Sequence, residues 1–324
     1  MNVADVRPRE PVASPFLVGA VDRRASRTGE PFLHLSLRDS RGDAIPARFF
    51  RVPAAVAEAI RAGETYDVEG DGDDWGGTLQ IKVRTMRRSE VQWDATAMLP
   101  RASKDPADLL AIIQQAAAAL GSPAIRRVVE HVLASEPVAS RLATWPAAKS
   151  RHHAWVAGLA EHIVEMLQIA ERVADTFPDL NSDLLIAGVI LHDLGKVEEL
   201  DLGATFAYTA AGNLEGHMVQ GVRLLDASLA ATGCDAGTGL QLRHLVLSHQ
   251  GTLEWSAVVE PLTPEAIALH YIDQLSSQVR PALDDVLAAR NRGAAGTIIR
   301  GPTALRNLYV SDGSTPGGGT ESAA

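Results

Sequence analysis

The sequence predicts a chain in two parts, a small β-barrel followed by an all-α domain. Three observations carry that expectation. Residues 14–93 are short stretches of alternating apolar and polar side chains separated by Gly, Asp and Ser. From Asp108 onward the apolar residues recur at helical spacing. Between the two lies ATAMLPRASKDP, residues 95–106, which follows neither pattern and reads as a linker. A length of 324 residues agrees with about two domains.

The β part contains PFLVGAVDRR, EPFLHLSLRD, DAIPARFFRV, ETYDVEGDGD and GGTLQIKVRTMRR. In FLHLSL, Leu33, Leu35 and Leu37 share one face, and Phe32, His34 and Ser36 share the other. In TLQIKVR, Leu79, Ile81 and Val83 oppose Gln80, Lys82 and Arg84. A short helix, VPAAVAEAIRAG, interrupts the strands, with Gly63 as its expected C-cap. Five strands with a helix between the third and fourth is the pattern of an OB-fold, assigned to residues 14–94. Its outer face would present His34, Lys82 and Arg84, with Phe49 or Phe50 and Trp75 nearby. Such a mixture can stack on and neutralise a single-stranded nucleic acid. The plainer alternative is that the phenylalanines are core and the charges an ordinary solvated face.

Residues 107–310 read as all-helical. PADLLAIIQQAAAALG opens with proline and closes at Gly121, and SPAIRRVVEHVLASEP stops at Pro137. Further helices are expected over 213–232, 237–249, 264–278 and 280–291. The tail, residues 311–324, is Gly/Ser/Thr-rich without apolar anchors and is expected to be disordered.

Composition narrows the function. The formal charge is −10, and residues 1–94 hold 14 Lys/Arg against 15 Asp/Glu while the remainder hold 16 against 25. A protein dominated by phosphate-backbone binding carries a basic footprint, and this chain has none overall. Its single cysteine, Cys234, excludes an internal disulfide and a Cys-based zinc site. The start, MNVADVRPREPVASP, has no apolar h-region, and no run approaches membrane-spanning length. A soluble, cytoplasmic protein with no membrane partner is the expectation.

The helical part is organised around residues 151–290. The apolar run LLIAGVIL ends abruptly in His192-Asp193-Leu194-Gly195-Lys196. A buried carboxylate is expensive unless paired or bound to metal. His162 lies one helix earlier, on the face that carries Trp155, Leu159 and Met166. His217, His249 and Asp273 each sit on or at the end of an apolar helical segment. Six N/O ligands suit a pair of hard or borderline ions such as Mn²⁺, Mg²⁺, Fe or Co. Asp193 could bridge them, and two metals about 3.5–4 Å apart clamp a phosphate and activate water. That chemistry is phosphoester hydrolysis. His244 and His270 read instead as hydrogen-bonded core residues and His131 as surface or packing, while His152 and His153 either face solvent or line the cleft.

The ordered set His162, His192-Asp193, Asp273 resembles the signature of the HD-domain metal-dependent phosphohydrolases, and His217 and His249 resemble the additions of its two-metal subgroup. The segments HHAWVAGLAEH, LHDLGKVEEL, GHMVQG, LSHQGTLEW and ALHYIDQL, preceded by an OB-like domain, resemble the YhaM-type 3′→5′ exoribonucleases. The resemblance covers about residues 14–290. It implies that the barrel guides single-stranded RNA or DNA to a site that removes nucleotides from the 3′ end through a metal-bound hydroxide. It further implies Mn²⁺ foremost as the ion, Asp193 and Lys196 as catalytic residues, and Lys196 as the cation beside the phosphate. Arg151 and His153 would add substrate contacts, and a homo-oligomer could gather several barrels at one entrance. Gln250 stands where many two-metal members carry a second histidine. Two other functions remain open: a nucleotide phosphohydrolase acting on a small phosphorylated substrate, and a non-catalytic RNA-binding protein.

Overall fold

The computed structural model describes residues 1–25, 30–75, 78–95, 97–150, 152–203 and 205–312. The chain forms two compact units, Met1–Arg101 with Leu200–Thr209, and the remainder.

The first unit is a closed five-stranded barrel of strand order β1-β2-β3-β5-β4. Its strands are β1 (Pro11–Ala25), β2 (Pro31–Arg38), β3 (Ala44–Phe50), β4 (Thr65–Trp75) and β5 (Thr78–Arg88), with α1 (Ala54–Ala59) between β3 and β4. β1 is long enough to pair with both β2 and β4, and β3 with β5 is the one parallel pairing. Closure leaves no open sheet edge. Leu33, Leu35, Leu37, Ile81 and Val83 point into the core with Phe16, Val18 and Val68, as their period of two requires. The unit extends beyond residues 14–94. β1 starts at Pro11, and Val3–Asp5 forms a 3-10 turn whose Val3 N–H donates to the buried Asp39 carboxylate at 2.7 Å. Gly63 is not the helix cap. The helix ends at Ala59 with Ile60 as its C-cap, and Gly63 takes a φ of 86° in the following turn, donating to the Val18 carbonyl.

The second unit contains α2 (Pro106–Ala118), α3 (Pro123–Ala134), α4 (Val138–Arg141), α5 (Gly158–Thr176), α6 (Ser182–Leu191) and α7 (Lys196–Glu199). After the hairpin β6 (Leu200–Leu202) and β7 (Phe206–Tyr208) come α8 (Ala210–Thr232), α9 (Ala236–Ser248) and α10 (Pro264–Asn291). A 3-10 turn at Leu253–Trp255 separates α9 from α10, and the hairpin β8 (Thr297–Arg300) and β9 (Asn307–Val310) follows. Asp105, Ser122 and Thr263 cap the starts of α2, α3 and α10, each directly before a proline. The cap oxygen satisfies an orphan N–H, and proline has none to satisfy. One core joins these helices, with α6 at its centre: seven of its ten residues are buried.

Residues 107–310 are therefore not all-helical, since two short hairpins interrupt them. The helices expected over 264–278 and 280–291 are one, α10, with Pro281 inside it. Proline's φ is compatible with a helix, so its local cost is one lost backbone bond and a clash with the preceding turn. Burial of Leu269, Ile272 and Ala289 along the same helix offsets that cost. The tail, residues 313–324, lies outside the described residues. Among the described residues, no helix is long and apolar enough to cross a membrane.

Candidate active site

Five helices deliver the six candidate ligands to one place. His162 projects from α5, His192 caps α6 with Asp193 following it, His217 lies on α8, His249 caps α9, and Asp273 lies on α10. Asp193 is central. Its Oδ2 lies 3.3 Å from His192 Nε2 and 3.8 Å from His162 Nε2. Its Oδ1 lies 3.4 Å from His217 Nε2 and 3.6 Å from His249 Nε2. Asp273 Oδ1 completes the first half, 3.3 Å from His162 Nε2. Each carboxylate oxygen of Asp193 thus faces its own pair of imidazoles.

The imidazoles are oriented from behind. His192 Nδ1 bonds the Val189 carbonyl at 2.9 Å and His249 Nδ1 bonds the Val246 carbonyl at 2.8 Å. Those bonds put the proton on Nδ1 and turn the Nε2 lone pair inward. His217 Nδ1 meets Glu199 Oε1 at 3.1 Å, and the same oxygen accepts the His217 backbone N–H. His162 Nδ1 meets Ser276 Oγ at 3.2 Å, and that hydroxyl donates to Glu165, which Arg280 also pairs. Gly216, with φ 76° and ψ 158°, kinks α8 one residue before His217. Gly195 lets α8 approach, because a Cβ there would overlap the His217 carbonyl oxygen.

These donors fit divalent cations. His162 Nε2, His192 Nε2 and Asp193 Oδ1 are buried and make no hydrogen bond, an arrangement that is costly unless a ligand completes it. Two triads, His162-His192-Asp193 and Asp193-His217-His249, each gather their ligand atoms within 4.8 Å. Burial would raise the Asp193 pKa, yet the Lys196 ammonium and His192 outweigh it and hold the carboxyl well below the usual range. Burial likewise opposes ionisation of Asp273, and the neighbouring His162 reverses that. Burial pushes His249 down to about 3, so it is neutral at physiological pH, as a ligand must be. His192 moves the other way: burial lowers it, but Asp193 raises it further.

The model of the HD domain family matches residues 159–278, which enclose all six candidate ligands. The 3′-5′ exoribonuclease YhaM of Bacillus velezensis is 36% identical over 277 residues, covering 83% of this chain and 86% of the relative. The protein of the same name from Bacillus pumilus is 35% identical over 271 residues, covering 82% and 84%. The chain belongs to the YhaM family. Among solved structures, the second OB-fold domain of replication protein A from Methanococcus maripaludis aligns with 29% of this chain and 98% of its own, at 16% identity and a TM-score of 0.24.

The other residues expected to act in this YhaM-family chain are placed unevenly. Lys196 is buried and donates to Asp193 Oδ2 at 2.5 Å, and Asp193 keeps it protonated against the effect of burial. His153 is fully buried, so it cannot touch a substrate arriving from solvent. With a φ of 51°, it turns away behind His162, and His152 lines the cleft instead. Arg151 lies outside the described residues. On the barrel, His34 stands opposite Arg48, which stands opposite Lys82. Arg48 was missed by sequence reasoning although it is the middle of this stripe, and its guanidinium covers Trp75 at 4.8 Å. Arg84 is committed to Asp71, donating to both carboxylate oxygens at 2.9 Å. Phe50, not Phe49, is the exposed aromatic, and it stacks on Phe32. Also missed were Glu199, Glu165 and Ser276. Only Glu199 left a signal, as the second of two acids between Val197 and Leu200 in the HD segment.

Proposed function

We propose that this chain is a metal-dependent 3′→5′ exonuclease acting on single-stranded RNA, with His162, His192, Asp193, His217, His249 and Asp273 holding two divalent ions. One observation carries the reading: the two oxygens of a single buried aspartate each face a separate pair of inward-turned histidines. Two ions so held would polarise the phosphodiester and activate water. We favour Mn²⁺, which carboxylates suit, and Fe, which suits imidazole, is compatible with the same mixed set.

The chain's own groups do the rest. Asp193 and Asp273 supply negative charge that survives burial. Glu199, Ser276 and the helix-end carbonyls fix imidazole orientation. Lys196 borders the cleft as a permanent cation, positioned to balance charge on a phosphate oxygen. The exoribonuclease name of the Bacillus relatives supports an exonuclease reading and RNA as substrate. On the barrel, the His34, Arg48 and Lys82 stripe with Trp75 has the aromatic and cationic make-up for holding single strands. We further infer a cytoplasmic location, in keeping with a single free cysteine, and a homo-oligomer.

The test is protein purified without chelator, analysed for metal, supplied with Mn²⁺ and given a 5′-labelled single-stranded RNA. Stepwise loss from the 3′ end that disappears in Asp193→Ala is the expected result. Bound metal with no cleavage of RNA would turn the assignment to a small phosphorylated substrate.

A further inference from the structure

A cleft of about 430 Å³ opens beside the candidate metal centre, within the range of small-ligand sites. One end is formed by Lys196, His152 and Asp273. One wall is α10, whose Asp273, Ser277, Gln278 and Pro281 all border the cleft. From Asp273 to Pro281 is about 12 Å of helix rise. At the Pro281 end, Thr303, Ala304 and Arg306 from the β8–β9 loop meet the helix. The lining is polar there. Pro281 has no N–H for the Ser277 carbonyl, which leaves that acceptor without its helical partner.

The loop is held in place. Asp285 is buried, and its carboxylate accepts the N–H groups of Thr303 at 3.0 Å and Ala304 at 2.8 Å. Arg306 donates to Gln278 Oε1 at 2.7 Å. Gly301 packs so closely on Asp285 that a Cβ would come within 2.6 Å of its Oδ2. Charge-assisted bonds from a buried carboxylate to two successive backbone amides make a rigid loop. A buried acid spent on pinning a loop that borders the cleft calls for a reason.

We propose that this cleft receives the 3′-terminal nucleotide and that the loop of residues 301–306, pinned by Asp285, is the wall that closes its far end. A strand then reaches the metal centre only with its terminus leading, and one nucleotide is removed at a time. The ribose hydroxyls would face Ser277 and Gln278, and exposed Trp255 on the cleft's side offers a surface for the base. This inference rests on the exonuclease reading, and it adds the reason for end-first, single-nucleotide cleavage.

The test uses the full chain loaded with Mn²⁺ and two probes with no internucleotide bond, 2′-deoxyadenosine 5′-monophosphate and the same nucleotide carrying an anthraniloyl ester on its 3′ oxygen. The wild type is expected to bind the unmodified nucleotide at least about tenfold more tightly by calorimetry, a difference of roughly 1.4 kcal/mol. In a variant whose Pro302–Leu305 is replaced by two glycines, the difference should shrink to about twofold or less. Equal binding of both probes by the wild type overturns the wall, and needs no variant to fold. Retained discrimination in a loop variant with full metal content overturns it as well. A parallel arm gives both proteins a single-stranded RNA with a free or an esterified 3′ end. The wild type should shorten only the free end, and the variant both. A wild type that discriminates between the nucleotides yet shortens neither RNA would leave the wall standing and remove the exonuclease reading.

Discussion

Asp193 concentrates the chemistry of the site in one side chain. Because each of its oxygens faces a different histidine pair, Asp193→Ala is expected to remove both ions rather than one, as elemental analysis would show. Glu199 acts on the ligand set chiefly through His217, whose backbone N–H and Nδ1 both meet its Oε1. Glu199→Gln should therefore weaken one ion about 10–100-fold, the usual scale for a partner behind a ligand, and leave the other in place. Titration with Mn²⁺ would resolve the two affinities, and equal weakening of both would contradict the assignment. His192 sets a pH dependence. Its pKa is raised by Asp193 despite burial, so without metal it keeps its proton to higher pH than an ordinary histidine. Binding an ion at Nε2 must displace that proton. Metal affinity should therefore rise with pH, by at most about tenfold per unit for one proton, and level off above the His192 pKa. Calorimetry in buffers of different ionisation enthalpy counts the proton directly.

At the scale of elements, the site depends on helix ends and on two glycines. His192 and His249 both follow the last turn of a helix, where the carbonyl three residues back is free to orient the ring. Gly216 breaks α8 with a backbone conformation that only glycine adopts without strain. Gly216→Ala is expected to cost about 1–3 kcal/mol, the scale of a strained non-glycine residue, and to displace His217. The variant should keep the ion held by His162, His192 and Asp273 and lose most of the other. Melting curves with metal analysis would check both parts. α10 shows how packing overrides a local rule: Pro281 neither ends nor splits a 28-residue helix.

For the whole molecule, the two units differ in what holds them together. The barrel is closed by its own ladders and core, whereas the helical unit buries two triads of ligand atoms suited to a cation. Chelation should thus lower the melting temperature of the helical unit alone. At an ion concentration 100-fold above Kd, the lost stabilisation is about 2.7 kcal/mol, or roughly 5–10 °C for a unit of this size. Calorimetry should show two transitions, of which only one moves. Burial also makes the helical unit sensitive to acid. His249, held neutral by burial down to about 3, resists a proton that the unfolded chain accepts near 6.5. Its stabilising contribution is therefore complete above about 6.5 and is lost as pH falls toward 3.

Much of this is legible in the amino-acid sequence. Alternation in FLHLSL and TLQIKVR placed Leu33, Leu35, Leu37, Ile81 and Val83 inside a barrel, because side chains on a strand can only alternate. The six candidate ligands stood out as ionisable groups on apolar helices, where burial demands a partner. Other features depend on contacts between residues far apart in sequence. Ser276 and Glu165, 111 positions apart, meet behind His162, and neither differs in type or spacing from an ordinary helix-surface residue. Arg48 lies across neighbouring strands from His34 and Lys82, a relation set by register rather than by order along the chain. The neighbours His152 and His153 were separated by one positive φ, which sends one into the cleft and buries the other. Periodicity and residue type report what must be buried or paired. Which partner completes the pairing is settled by how helices and strands pack, and that is a property of the folded chain.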